Sequence, residues 1–512
     1  VAFVKFFFIY ECRYLILSRY LAIIILLMMA LILINRGQGM SLTQSINQSM
    51  NKLVSHWQEA KLSAARSFSG SNDYLAPTEI LAVDKHAIKK VYQKMADFYP
   101  LPSAPKAKPL HDAAAQVALP ITMLDTRQLK AGQTVNVQGH VKLIPENADL
   151  WQKNIHFVIN QSDTILDCQG AQLSSSDDTV SAIAIRTPPD QTGIFNIQVK
   201  NCLLTGYNHG VVIEQQTPAN QRYEQLQTGQ TSIAQQLAQS PHQILIDNVT
   251  VTHSRNSGIF VGDHVQGVDF NRIAVLKSGT VGLYFEFGSR GNVVRHSFFS
   301  QNGVRQVLGV GKPNREAIAI DSSANNRIEQ SHFDHNGAGG VFLYRNCFEH
   351  ADDPSKPNHF LRTQGSNNNL IAHNIFEREP VGVWIASRQS RNLKGFACGA
   401  YTISETPFAS YHLDESEHNQ IWQNLFLANK TGIIVEDDNN RLQANQFDQQ
   451  VVQPIVIGSK IRLQSNEGAV KNNQLANNTL LDNQRTEKNS SHRRDDMVKF
   501  VGDSEWHHVI QP

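Results

Sequence analysis

The chain has 512 residues, enough for a large core, and a formal net charge of +1 that gives no electrostatic reason to expect nucleic acid as a partner. Lysine and arginine are scattered without a basic stripe, and five cysteines are too few for a disulfide scaffold.

In chain order, residues 1–40 stand apart. Leu21–Ile34 is an unbroken apolar run preceded by Lys5, Arg13 and Arg19. It is shorter than the roughly 20 residues a spanning helix needs and suits a signal peptide h-region. No clean cleavage site follows, so an uncleaved N-terminal membrane anchor is the alternative, and with it membrane attachment. The preceding positive charges place the N-terminus inside and the bulk of the chain outside, periplasmic or secreted. Residues 41–116 read as a helical cap followed by a Pro-rich linker, "PLPSAPKAKPL".

From residue 117 to 485 the texture becomes short apolar alternations separated by Gly, Asn, Asp and Ser, the pattern of strands and turns. Two motifs repeat. One is "NVVRHSFF" at 292, "NRIEQSHF" at 326, "NLIAHNIF" at 369, "NQIWQNLF" at 419 and "NRLQANQF" at 440. The other is "GVVIE" at 210, "GIFVG" at 258, "GLYFE" at 282, "AIAID" at 317, "GVFLY" at 340, "GVWIA" at 382 and "GIIVE" at 432. Uninterrupted copies recur about 22–24 residues apart, the period of a solenoid whose coils bury apolar positions only against their neighbours. The asparagines are expected at the bends, as turn residues tolerating the left-handed conformation. Residues 486–512 are expected as a C-terminal tail.

These repeats resemble those of the right-handed parallel β-helix proteins of the pectate-lyase-like superfamily. The resemblance spans roughly residues 117–485, and "TILDCQGAQLS" at 164–174 looks like an early coil. It implies an all-β right-handed parallel β-helix solenoid, with the N-terminal helices capping its end. That family includes polysaccharide lyases, uronate C5-epimerases, glycoside hydrolases and non-catalytic adhesins. Its hallmark strings (Asp-Pro-His-Asp, Asn-Thr-Asp, Gly-His-Gly) are missing here, so no catalytic residue carries over.

Alternation assigns the faces of the second repeat. Val211/Ile213, Ile259/Val261, Leu283/Phe285, Ile318/Ile320, Val341/Leu343, Val383/Ile385 and Ile433/Val435 point inward. Phe260, Tyr284, Phe342 and Trp384 point outward as a line of rings suited to sugar stacking, and Glu286, Asp321 and Tyr344 form a parallel polar line. Arg345 and Arg388 follow at the strand ends, and His264 and His209 lie near the face. Three long inserts, 215–241, 346–367 and 389–418, follow this same strand and are expected to wall the face. Cys347 and Cys398 lie in two of the walls, where a bridge or two buried thiols are both open. Cys168 and Cys202 are expected to stack in the core.

The expected function is that of an exported protein acting on a polysaccharide. Its chemistry is β-elimination or C5 epimerisation beside a uronate carboxylate, with Arg345 or Arg388 neutralising the carboxylate and Tyr344 or His264 as the base. Glycoside hydrolysis by Glu286 and Asp321 is the first alternative, and non-catalytic carbohydrate binding or assembly the second. The histidines show no metal-ligand spacing and no metal site is assigned, but Glu286 and Asp321 could equally hold calcium.

Overall fold

A computed structural model describes residues 120–144, 153–177, 179–304, 314–356, 359–465, 467–481, 497–502 and 506–508. The expected signal or anchor segment, the helical cap and the linker lie outside the described residues.

Three long parallel sheets, of 13, 12 and 10 strands among the described residues, run along the solenoid. Each strand pairs with its counterpart in the preceding and following coils, as a β-helix requires. The second repeat supplies seven strands of the 12-stranded sheet: β1 (Val211–Gln215), β2 (Ile259–Val261), β3 (Leu283–Phe285), β4 (Glu316–Asp321), β5 (Gly339–Tyr344), β6 (Val381–Ile385) and β7 (Thr431–Val435). Their register is the one the repeat dictates: Val211 pairs with Ile259, Ile259 with Leu283, Leu283 with Ile318, Ile318 with Val341, Val341 with Val383 and Val383 with Ile433. Every inward residue of this set is fully buried in one continuous core. In six of the seven copies a glycine precedes the first inward residue and is sterically required, with Ala317 in the seventh. A Cβ on Gly382 would come within 2.5 Å of the Phe426 ring, because the corner of each coil presses against an internal aromatic stack.

That stack is built by the first repeat. Phe299, Phe333, Phe376, Phe426 and Phe447 lie one above another with centroids 5.2, 4.8, 5.0 and 4.8 Å apart. The asparagines correct the expectation made for them. Asn292, Asn326, Asn369, Asn419 and Asn440 are buried inside the column, and the left-handed residue is the one before each from Asn326 onward: Asn325, Asn368, His418 and Asn439. Each amide in this file bonds the next, as in Asn326 Nδ2 to Asn369 Oδ1 at 3.0 Å and Asn369 Nδ2 to Asn419 Oδ1 at 3.1 Å. A second file runs through Asn374, Asn424, Asn445 and Asn478. An amide is both donor and acceptor, so a stacked file satisfies itself and the corner backbone without water.

Two other expectations change. Cys168 and Cys202 are buried in the core as expected but are joined by a disulfide, and a second disulfide joins Cys347 to Cys398. Val498–Phe500 and Trp506–His508 continue two of the sheets, so strands occur where a tail was expected.

The inserts leave the same edge of the 12-stranded sheet. The first carries two helices, α1 (Ala219–Gln227) and α2 (Ile233–Gln239), and the third an antiparallel hairpin, Thr402–Glu405 with Ser410–His412. The disulfide Cys347–Cys398 ties the second insert to the third.

Candidate active site

The outward face is open only in part. A cleft of about 540 Å³ lies over β1, β2 and β3. Its floor is Val212, Phe260 and Tyr284, with the Phe260 and Tyr284 rings stacked at 5.8 Å. Beyond β3 the face closes: Phe342 and Tyr344 are buried and pack with Val281 and Ala319, while Trp384 is half-buried against them. The expected line of rings is therefore a floor at one end and covered packing at the other, where Phe342 and Tyr344 lie in one cluster with Ala338, Val381 and Trp384.

The polar line behind the rings follows from register. Arg186 pairs with Glu214 across the ladder, the next two coils place Gly262 and Glu286 in sequence, and then come Asp321 and Tyr344. Arg186 donates to Glu214 Oε1 at 2.9 Å from Nε, so the two side chains form an ion pair on the cleft wall. At Gly262 a Cβ would come within 2.9 Å of the Glu214 Cβ, and glycine leaves a gap between the two acids. Two coil steps of about 4.8 Å put the Glu214 and Glu286 backbones about 9.6 Å apart.

At Glu286 burial and charge oppose each other. Burial pushes its carboxyl up, Arg362 pulls it down, Asp321 pushes it up again, and the result is about 7. Arg362 comes from the second insert. Its guanidinium lies 3.4 Å from Glu286 Oε1 and 3.9 Å from Asp321 Oδ1, over the Phe360 ring at 4.4 Å. Asp321 itself lies beneath the cleft. It accepts the Tyr284 hydroxyl at 2.5 Å, the Ser322 hydroxyl at 2.8 Å and the Asn346 N–H at 3.1 Å. Burial, and then the charge of Asp321, lift the Tyr284 phenol well above its ordinary value, so it stays a proton donor.

Of the ten expected site residues, Phe260, Tyr284 and Glu286 line the cleft and Asp321 touches it through Tyr284. The other six do not reach it. Phe342 and Trp384 meet edge to face at 5.4 Å. The Tyr344 hydroxyl is buried between Arg315, at 3.2 Å, and Glu316, at 3.4 Å. Arg345 pairs with Glu415 and stacks 3.8 Å over Tyr401, fastening the third insert. Arg388 lies 4.9 Å over the Tyr344 ring and 3.6 Å from Glu349. His264 is packed against Phe287 beside Asp263, and burial, then Arg222 and Arg290, press its imidazole down to about 3, which suits a neutral core histidine. His209 does line the cleft, beside Phe260, but burial holds it near 4.

Sequence reasoning missed Arg186, Glu214, Arg315, Glu349 and Arg362. Glu214 stood in the outward column of the repeat alignment and was findable there. Arg315, Glu349 and Arg362 lie outside the repeated strand, where periodicity carries no signal.

Comparison with known proteins agrees with the architecture. The family described as "Right handed beta helix region" matches residues 190–393, and that described as "Periplasmic copper-binding protein (NosD)" matches residues 361–506. No curated protein matches the chain. Among solved structures, the chain is similar to an alginate lyase from Paenibacillus sp. str. FPU-7, with 12% identity, 69% of this chain and 87% of that one covered, and a TM-score of 0.33. It is similar to the periplasmic alginate epimerase AlgG, with 12% identity, coverage of 76% and 77%, and a TM-score of 0.41. The catalytic domain of a GH87 alpha-1,3-glucanase in complex with nigerose gives 8% identity, coverage of 77% and 62%, and a TM-score of 0.41. The protein is a right-handed parallel β-helix with a cleft on one face, to which the second insert contributes Glu349 and Arg362.

Copper does not fit the residues described. Among them, the carboxylates close enough to share an ion are Glu417, Asp437 and Asp438, an all-oxygen set without the imidazole or thiolate donors copper favours. Arg462 already lies 3.0 Å from both aspartates.

Proposed function

We propose that the protein is a polysaccharide-active enzyme that hydrolyses glycosidic bonds in the cleft over β1–β3, with Glu286 as general acid and Glu214 as general base. The observation that carries this reading is the pair itself: two carboxyls flanking an empty Gly262, one ion-paired with Arg186 and the other raised to about 7. A carboxyl that keeps its proton near neutrality can serve as the acid, and the second carboxyl across the gap is placed to activate a water. A sugar unit stacked on Phe260 and Tyr284 would lie across the gap, with its glycosidic oxygen toward Glu286. Side chains leaning inward from backbones about 9.6 Å apart meet the roughly 6.5–9.5 Å separation that leaves room for a water, so the anomeric configuration is inverted.

Lyase or C5-epimerase chemistry on a uronate glycan is the second reading, favoured by Arg315 and Arg362 in the cleft wall. It ranks below because these guanidiniums already pair with Glu316 and Glu286. In that chemistry Glu286 is the base and must be ionised. Calcium belongs to that reading only, and Arg362 occupies the space between Glu286 and Asp321 where it was expected. The apolar run at Leu21–Ile34 supports export to the periplasm or beyond.

The test is a panel of neutral and anionic glycans, read for new reducing ends and for unsaturated products absorbing in the ultraviolet, with the pH profile of kcat/KM. Hydrolysis predicts reducing ends and a rate that falls above pH about 7 as Glu286 ionises. Unsaturated product, or C5-inverted product without cleavage, with a rate that rises through the same pH establishes the second reading. Binding without any product defeats both.

A further inference from the structure

A second cavity, of about 180 Å³, lies under the first insert, where β1 ends and α1 and α2 arch over it. Its chemistry is unlike that of the cleft. Six glutamines line it: Gln191, Gln215, Gln225, Gln230, Gln235 and Gln239. Gln215 is buried, and its Nε2 donates to the Gln236 carbonyl at 3.1 Å and the Ser240 hydroxyl at 2.6 Å, so its Oε1 is the atom left for the cavity. Gln235 is fixed by the capping box of α2, where its Oε1 accepts the Ser232 N–H at 2.8 Å and its Nε2 remains as donor. Thr231 also lines the cavity, and its buried hydroxyl has no partner.

The charges around this cavity are already matched. Arg222 lines it, but Nε and Nη2 grip Asp263, with Nε at 3.0 Å from Oδ2, and Nη1 donates to the Thr217 carbonyl. Asp190 is exposed. An anion therefore finds no uncommitted cation in the wall and a cation finds one solvated carboxylate. The one apolar wall residue, Pro188, offers little to a hydrophobic ligand. What the wall offers is neutral amide donors and acceptors, those of Gln215 and Gln235 held in place by hydrogen bonds, which match the alternating donor and acceptor hydroxyls of a sugar. The volume corresponds to about six waters at roughly 30 Å³ each, the size of one hexose ring.

We propose that this cavity is a second carbohydrate site, shaped for a single uncharged pyranose unit and separate from the cleft. It lies at the end of the strand that carries Glu214, so a polymer or branch held in it is anchored beside the cleft. The site needs no reaction to be present, and its test reads binding alone.

The experiment is saturation-transfer NMR and calorimetry on the full chain with glucose, mannose and galactose, and with glucuronate for comparison. At least one neutral hexose saturates with millimolar affinity, and glucuronate binds more weakly. Gln225→Leu/Gln239→Leu removes two amides of the cavity wall, and lowers that affinity tenfold or more with an unchanged circular dichroism spectrum. Thr231→Val is a milder second variant that weakens it less. Phe260→Ala, in the cleft, leaves it unchanged. The proposal is overturned if no neutral hexose saturates, if both glutamine and threonine variants bind like the parent, or if Phe260→Ala abolishes binding. Loss of hydrolysis on every polymer, with hexose binding intact, would strike the cleft reading and leave this one standing.

Discussion

Replacing Arg362 with Met removes the guanidinium that lies against both Glu286 and Asp321 while keeping most of the side-chain volume over Phe360. At the observed 3.4 Å, an effective dielectric of about 20 gives an attraction of about 5 kcal/mol between Arg362 and Glu286. At about 1.4 kcal/mol per pKa unit this is a ceiling of roughly 3–4 units, and relaxation and water entry reduce it to about 2. Burial and Asp321 both push Glu286 up and are then less opposed, so the shift is upward from about 7. The assay is kcat/KM on the polymer from pH 5 to 10, which reports the free enzyme. For hydrolysis the falling limb moves from near pH 7 to about 9, and the variant outperforms its own pH 7 ratio to wild type under alkaline conditions. Glu286→Gln should remove the limb and lower the rate by roughly 10²–10⁴-fold. If Arg362→Met and wild type titrate at the same pH, Glu286 is not the group being read and the assignment of the acid is wrong.

Three further outcomes are expected. Phe260→Ala should raise KM by about fivefold or more from lost ring stacking, about 1 kcal/mol, whereas Trp384→Ala should leave KM nearly unchanged because that ring lies outside the cleft. Asn374→Ala breaks bonds to Asn424 Oδ1 at 3.1 Å, the Ile328 carbonyl at 2.8 Å and the Ser331 N–H at 2.9 Å, and should cost about 2–4 kcal/mol in a urea titration. Burial raises Asp414 to about 7, Glu436 to about 8 and Asp437 to about 7. Between their unfolded values near 4 and these folded values the native state holds protons that the unfolded chain has released. Stability therefore falls as pH rises through this window. Tm should be higher at pH 5 than at pH 8, and Glu436→Gln should flatten the dependence; an unchanged Tm across the window would contradict the burial of these groups as acids.

The sequence by itself determined the column. The spacing of Gly-aliphatic-x-aliphatic strands and Asn-x-aliphatic…Phe corners specifies which residues face inward and which pair across coils, because a solenoid contact is a near-identical contact made again one coil later. Val341 pairs with Val383 and Ile318 because the motif says so, and Phe333 stacks on Phe376 for the same reason. Outward direction was legible too, including the column that places Glu214, Gly262 and Glu286 in line. Accessibility was not. Whether an outward side chain meets solvent depends on contacts the repeat does not encode: Asp321 lies beneath Arg362 of the second insert, the Tyr344 hydroxyl between Arg315 and Glu316, and Phe342 in a cluster with Val281, Ala338 and Trp384. The same insert brings Arg362 to Glu286 across 76 positions of sequence. Glu286 became a group titrating near neutrality only when that cation, its burial and Asp321 met at one point. That balance of desolvation and charge exists in the tertiary structure and has no counterpart in the local sequence.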